Sequence, residues 1–290
     1  MTTVDAACAK GWRHIYFNAN TFRYWGVYML AIVGIAVLGW SWLGLALALV
    51  LYVPRVFFIT GVYHRYFSHR SYKTSRWFQL VLAICAQSTM QRGVLYWAAN
   101  HRLHHKLSDQ PGDPHSPRSG FWWAHLGWIL SGDFEGADYA RIKDFACFPE
   151  LRWLDSWWWT PVVAVAAALF VAGGWFALVW GFAVSTVLCW HATYAINSLG
   201  HQWGTRRYAT GDDSRNNPVL AVIMMGEGWH NNHHHYPVAA RQGFYWWEID
   251  CTYYVLRALA AVGLIWDLRG VPDHIRKRWR GDDRAALALK

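Results

Sequence analysis

Residues 24–54 read YWGVYMLAIVGIAVLGWSWLGLALALVLYVP, and between Arg23 and Arg55 no Asp, Glu, Lys or Arg occurs. The apolar character continues to Tyr63. Forty helical residues would extend about 60 Å, roughly twice the hydrocarbon core of a bilayer, so a single helix is too long. Two helices of about twenty residues, turning over Gly39 to Gly44 (GWSWLG), fit that thickness. A second uncharged run, Ser156 to Thr205, predicts the same arrangement with Gly173 and Gly174 at the turn. The expected fold is an all-α integral membrane protein with four transmembrane helices in two hairpins, near 24–43, 44–63, 157–174 and 175–200. Segments 64–156 and 201–290 form a helical cap on one face, and the whole of 1–290 is one domain.

Charge orients this arrangement. Each hairpin returns the chain to the face it left, and all of the 27 Lys and Arg except Arg55 lie outside the two hairpins. The positive-inside rule makes the face that bears them, with both termini and the cap, cytoplasmic. Hydrophobic residues make up 54% of the 290 and charged ones 16%, too little charge to coat soluble globules. The 22 Trp suit a membrane–water interface, so clusters such as Trp157 to Trp159 and Trp246 with Trp247 read as anchors. The net charge of +9 reads as attraction to anionic lipid headgroups, with an acidic acyl carrier or electron donor as the alternative. Nothing resembles a nucleic-acid module. Cys8, Cys85, Cys147, Cys189 and Cys251 form no CxxC pair, which excludes a zinc ribbon or a built-in iron–sulfur module. The first 23 residues, with Asp5, Lys10, Arg13 and Arg23, lack the apolar core of a signal peptide. Phe78 to Ala99, interrupted by Gln79, Gln87, Gln91 and Arg92, reads as a helix in the interface or under the spans. A fifth crossing there would divide the histidines between two faces.

Nine of the 15 histidines fall into a pattern. His64 and His69 form HRYFSH, His101, His104 and His105 form HRLHH, and His230, His233 and His234 form HNNHH; His201 closes NSLGH. Positions i, i+3 and i+4 share a helix face, so each HxxHH is expected to aim three imidazoles at one point. HxxxxH separates its rings by about 140° on an ideal helix and suits a helix end or bend. Asn197 shares a face with His201. Neutral imidazole ligates iron, zinc, copper and nickel, and nine imidazoles exceed what one ion holds, so two metals are expected. His14, His115, His125, His191, His235 and His274 read as ordinary surface or core histidines, with His235 a competitor of His234. Asp109, Asp113, Glu227 and Asp250 are candidates to hold imidazole N–H groups from behind, with capping or surface roles as the alternative.

In order and spacing HRYFSHRSYK, WAANHRLHHKLSDQPGDPHSP, GFWWAHLGW, NSLGH and GEGWHNNHHHYP resemble the motifs of the stearoyl-CoA desaturase-like membrane fatty-acid desaturases, from about Val53 to Pro272. SRNN and ARQGFYWWEID are similar to the bacterial branch, which implies a multi-pass inner-membrane protein. The resemblance implies that His64, His69, His101, His104, His105, His201, His230, His233 and His234 ligate two iron ions, with Asn197 reaching one through water. It implies oxygen-dependent removal of two hydrogens from a saturated acyl chain, giving a cis double bond, most commonly at Δ9, in an acyl-CoA. Electrons would come from a separate ferredoxin, rubredoxin or cytochrome. Animal members carry Arg-Asp before HxxHH where this chain has Ala99 and Asn100, which leaves acyl-CoA, acyl carrier protein and intact lipid open as carriers. The alternatives are a related di-iron hydroxylase of acyl or alkyl chains and a non-catalytic membrane metal-binding protein.

Overall fold

The structure is a computed structural model and describes residues 17, 21–134 and 136–278. Cys8, His14 and the N-terminal charges Asp5, Lys10 and Arg13 lie outside the described residues. The chain is mostly helical. Helix α1 (Phe22–Leu38) ends at Gly39, whose φ of 79° is open to a residue without Cβ. Ser41 then accepts from Gly44 N at 3.1 Å and caps α2 (Trp42–Phe57), which starts three residues after Gly39. α2 continues without a break as a wide π-helical stretch, Phe58–Ser68. The second helix therefore extends beyond the expected end at 63 and carries His64 inside it.

The second uncharged run is helical over Thr160–His201, too long for one straight crossing. Gly173 and Gly174 leave helical geometry, Gly174 with φ 57° and ψ −150°, a region open almost only to glycine. A methyl group added at Gly181 would stand 3.5 Å from Leu169 Cδ2, although a straight helix would hold these positions about 18 Å apart. The chain thus folds back between α5 (Thr160–Phe176) and the π turn Ala177–Val184 that leads into α6 (Ser185–Ser198). Gly44 lies under the Trp180 ring, and its missing side chain lets α2 approach that second hairpin. Trp42–Ser68 and Thr160–His201 are long and apolar enough to cross a membrane, and Phe22–Leu38 is a shorter apolar helix.

The expected continuous helix over 78–99 is two helices. α3 (Arg76–Gln87) stops, Met90 and Arg92 adopt φ of 63° and 66°, and α4 (Val94–Leu107) starts after Gly93. Left-handed backbone at two residues ends any helix. The first turn of α4 exposes N–H groups that Asp155 satisfies, its Oδ1 accepting from Leu95 N at 2.9 Å and Tyr96 N at 3.2 Å. α7 (His230–His235) and α8 (Cys251–Ala261) follow in the C-terminal region. Strands β1 (Lys73–Thr74) and β2 (Ile265–Trp266) pair antiparallel and tie the segment after the first histidine pair to the C-terminal region. Cys85, Cys147, Cys189 and Cys251 are free thiols.

Candidate metal centre

The nine pattern histidines converge as two neighbouring clusters. His64, His69, His101, His105 and His233 form one, and His104, His201, His230 and His234 form the other; within each, one ring nitrogen per residue lies within 4.8 Å of all the rest. Each HxxHH was expected to aim at a single point, and the structure corrects this. On a helix, i+3 lies about 60° to one side of i and i+4 about 40° to the other. In α4, His101 and His105 enter the five-imidazole cluster while His104 enters the four-imidazole one. In α7 the division is reciprocal, with His230 and His234 in the four-imidazole cluster and His233 in the other. The two clusters are thereby interlocked by the same two helices.

HxxxxH lies at a helix end, as its spacing suggested: His64 is inside the π-helical stretch and His69 is the residue that caps it. In the π-helical stretch the N–H of His69 donates to the carbonyl of His64 at 3.2 Å, five residues back, and the ring centroids stand 4.8 Å apart. The wider turn superposes positions that an α-helix would separate. α7 is too short to be stable alone. The asparagines inside its motif hold it: Asn231 Oδ1 accepts from Arg207 N at 2.8 Å and Tyr208 N at 2.7 Å, and Asn232 Nδ2 donates to Glu248 Oε2 at 2.8 Å.

Four rings are held from behind by carboxylates. The contacts are His64 Nδ1 to Glu227 Oε2 at 2.5 Å, His104 Nδ1 to Asp113 Oδ1 at 2.9 Å, His201 Nδ1 to Asp109 Oδ2 at 2.7 Å, and His234 Nδ1 to Asp212 Oδ2 at 2.7 Å. An ionised carboxylate only accepts, so these Nδ1 atoms carry the proton and Nε2 presents a lone pair. The Nε2 atoms of His104 and His234 are buried and lack a hydrogen-bond partner. Elsewhere Nε2 atoms face one another, at 3.0 Å for His64 and His233, 2.9 Å for His69 and His101, 2.9 Å for His105 and His233, and 3.0 Å for His201 and His230. Two nitrogens about 2.1 Å from one ion, at right angles, stand about 3.0 Å apart. The donor set therefore fits metal ions.

Burial, and then the surrounding imidazoles, hold His69, His101, His105, His230 and His233 well below the ordinary histidine range, in the neutral form that ligates. Burial also lowers His234, to about 4, against the pull of Asp212. For His104 burial is outweighed by Asp113, and the pKa rises. Asp109 falls to about 2 because His201 and the Asp213 N–H overcome its burial.

Other expected residues fall elsewhere. Asp250 touches no imidazole; it pairs with Arg65 at 2.9 Å and caps α8 by accepting from Tyr253 N at 3.0 Å, the capping alternative. His235 turns away and stacks on Tyr208, with centroids 4.1 Å apart. Asn197 lines two adjoining cavities that share Trp97, His101, His115 and Thr193. One cavity is also lined by Tyr24, Arg92 and Trp128, the other by Ile59, Ile196 and Met224. A hydrogen-bond chain braces the shared wall: Trp97 Nε1 donates to Gln91 Oε1 at 3.2 Å, and Gln91 Nε2 to Thr193 Oγ1 at 2.8 Å. Sequence reasoning missed Asp212, which no fixed spacing connects to His234, and Arg65, which is masked by adjacency to His64. It also passed over His115, buried against His104 with centroids 4.1 Å apart, and the His125–His191 contact of 3.0 Å.

A helical chain with long apolar helices, a convergent imidazole centre and apolar cavities beside it has the features of a membrane-bound, metal-using oxidoreductase. The fatty acid desaturase family model matches residues 40–269. The chain is 36% identical over 247 residues to the sn-1 stearoyl-lipid 9-desaturase of Anabaena variabilis, covering 84% of this chain and 91% of that protein. It is 38% identical over 242 residues to an acyl-CoA 5-desaturase of Anemone leveillei, covering 82% and 75%. It is 36% identical over 241 residues to a Delta-9 acyl-lipid desaturase of Arabidopsis thaliana, covering 82% and 78%. The chain belongs to the fatty acid desaturase family, whose members are oxidoreductases.

Proposed function

We propose that this protein introduces a cis double bond at Δ9 of a saturated fatty-acyl chain carried as the CoA thioester, at a di-iron centre held by the nine clustered histidines. The observation that carries this reading is the convergence of those rings beside cavities lined in part by the apolar side chains of Ile59, Ile196 and Met224. Two iron ions in the clusters would supply the oxidant for unactivated C–H bonds, from O2 and electrons delivered by a separate ferredoxin, rubredoxin or cytochrome. The protein's own part is positional. Trp97, Gln91 and Thr193 fix the wall against which the chain lies, so that chosen methylenes approach the centre. Asp109, Asp113, Asp212 and Glu227 hold the Nδ1 protons and keep the Nε2 lone pairs aimed inward. Asn197, which lines both cavities, would hold a water at the centre.

In this reading the whole chain is one desaturase domain in a bacterial inner membrane. Helices α1, α2, α5 and the α6 segment cross it as two hairpins, and α3, α4, α7 and α8 form a cytoplasmic cap. Exposed Val33, Val37, Val50, Val53, Val163 and Val171 would then face lipid, and exposed Trp40, Trp42 and Trp175 would gather at the interface where both hairpins turn. A lipid-linked acyl chain is the second reading of the substrate, favoured by the acyl-lipid names of the Anabaena and Arabidopsis relatives.

The test is gas chromatography–mass spectrometry of fatty-acid methyl esters from a host expressing this chain or its His104→Ala variant. A Δ9 monounsaturated peak present with the first and lost with the second is expected. Hydroxylated products, or no oxidised product from an iron-loaded chain supplied with a donor, would overturn the reading. Radiolabelled acyl-CoA and phospholipid offered separately to the purified protein distinguish the carriers.

A further inference from the structure

The carboxylates behind the imidazoles are unequally distributed. Three of the four rings in the four-imidazole cluster are backed, His104 by Asp113, His201 by Asp109 and His234 by Asp212. In the five-imidazole cluster one ring is backed, His64 by Glu227.

Their compensation differs as well. Glu227 is shared with the buried Arg65, whose Nη2 and Nε donate to Oε1 at 3.1 and 3.3 Å, and with Gln242, whose Nε2 donates to Oε2 at 3.0 Å. Asp109, Asp113 and Asp212 make no ion pair with Lys or Arg among the described residues. Apart from histidine, their carboxylates accept from neutral groups. Asp109 accepts from Asp213 N and the Ser116 hydroxyl, Asp113 from Asp109 N and His115 N, and Asp212 from Ser214 N. Arg118 and Arg206 approach, but they pair with Asp213 and donate to the main-chain carbonyls of Asp109 and Asp212. One cluster thus faces a single carboxylate, Glu227, partly compensated by an Arg65 that it shares with Asp250, while three carboxylates without an Arg or Lys partner face the other.

Anionic charge behind an imidazole strengthens it as a donor and favours the higher charge on the ion it holds. Resting on the di-iron reading above, we infer that the two clusters are inequivalent. The His104–His201–His230–His234 cluster keeps the ferric ion in a half-reduced centre, and Asp212 is a positioning and tuning residue for it. The step balances with one electron: the diferric centre accepts an electron from a one-electron donor, and the ion in the His64–His69–His101–His105–His233 cluster becomes ferrous. No bond forms or breaks in the protein.

The test uses the full chain, purified in detergent, loaded with Mössbauer-active iron and half-reduced by titration with dithionite. Ferric and ferrous doublets of equal area are expected. Asp212→Asn should shift the ferric doublet and leave the ferrous one in place. Glu227→Gln should do the opposite, and Asp212→Glu, which keeps the charge, should restore the wild-type spectrum. Where Asp212→Asn fails to retain iron, Asp109→Asn is the second variant, with the same expected shift. A single averaged doublet, or carboxylate variants of the four-imidazole cluster that move the ferrous doublet, would overturn the inference. A wild-type chain that binds no iron would instead defeat the di-iron reading, so the two failures are distinguishable.

Discussion

His104 and His105 are adjacent in sequence, yet their imidazoles enter different clusters, with ring centroids 5.5 Å apart. Neighbouring helical positions diverge by about 100°. Substituting each should therefore deplete a different site. His105→Ala is expected to weaken metal binding in the five-imidazole cluster and His104→Ala in the other, each by at least the 10–100-fold seen when supporting partners are lost. Metal analysis of the purified variants checks this: each should lose about one of two bound equivalents. Loss of both from either variant would show that the clusters fill only together.

Gly174, with φ 57° and ψ −150°, makes the reversal between α5 and the α6 segment, and an added Cβ there would meet nothing within 4 Å. The cost of Gly174→Ala is then backbone strain alone, on the order of 1–3 kcal/mol. Gly26→Ala, in the middle of α1 and equally unobstructed, should be neutral or stabilising by up to about 1 kcal/mol. Thermal denaturation in one detergent, comparing both variants with the parent, measures the difference.

Asp155 caps α4, the helix that carries HRLHH, and its burial pushes its carboxyl up to about 6 against the lowering by the Tyr96 and Leu95 N–H groups. The folded state then binds a proton that the unfolded state has released, so the contribution of this group is most favourable below about pH 4. It declines as the pH rises to about 6 and is level above that. Asp155→Asn, which keeps an acceptor oxygen, should abolish this slope. Its stability relative to the parent should be equal at acid pH and higher near neutrality by on the order of 3 kcal/mol. Melting temperatures of both proteins across that range provide the check.

Ile196 lines the apolar cavity beside His64 and His230. If an acyl chain extends there, Ile196→Phe shortens the accommodated segment. The product profile of the expressing host should shift to shorter monounsaturated chains with the double bond in the same position. An unchanged chain-length profile would place the acyl terminus elsewhere.

These residues show which parts of the protein were readable before its structure. The two uncharged runs gave the helices and both turns, because charge exclusion and glycine are local signals. The histidine spacing picked out the nine rings that converge but not their division into two clusters, since i+3 and i+4 lie close in sequence and on opposite sides of i. The π-helical geometry that superposes His64 and His69 leaves no mark in composition, and the break at Met90 and Arg92 lacks the usual glycine or proline at the strained positions. Asp212 reaches His234 from a loop 22 residues earlier, through tertiary contact that no periodicity encodes.

The most direct test of the account is the iron content of the detergent-purified protein, set beside that of a variant carrying His104→Ala and His105→Ala together. Two clusters joined through α4 predict about two iron ions per chain in the parent and a severe loss from both sites in the double variant. One iron per chain in a fully loaded parent, or two retained by the double variant, would contradict it.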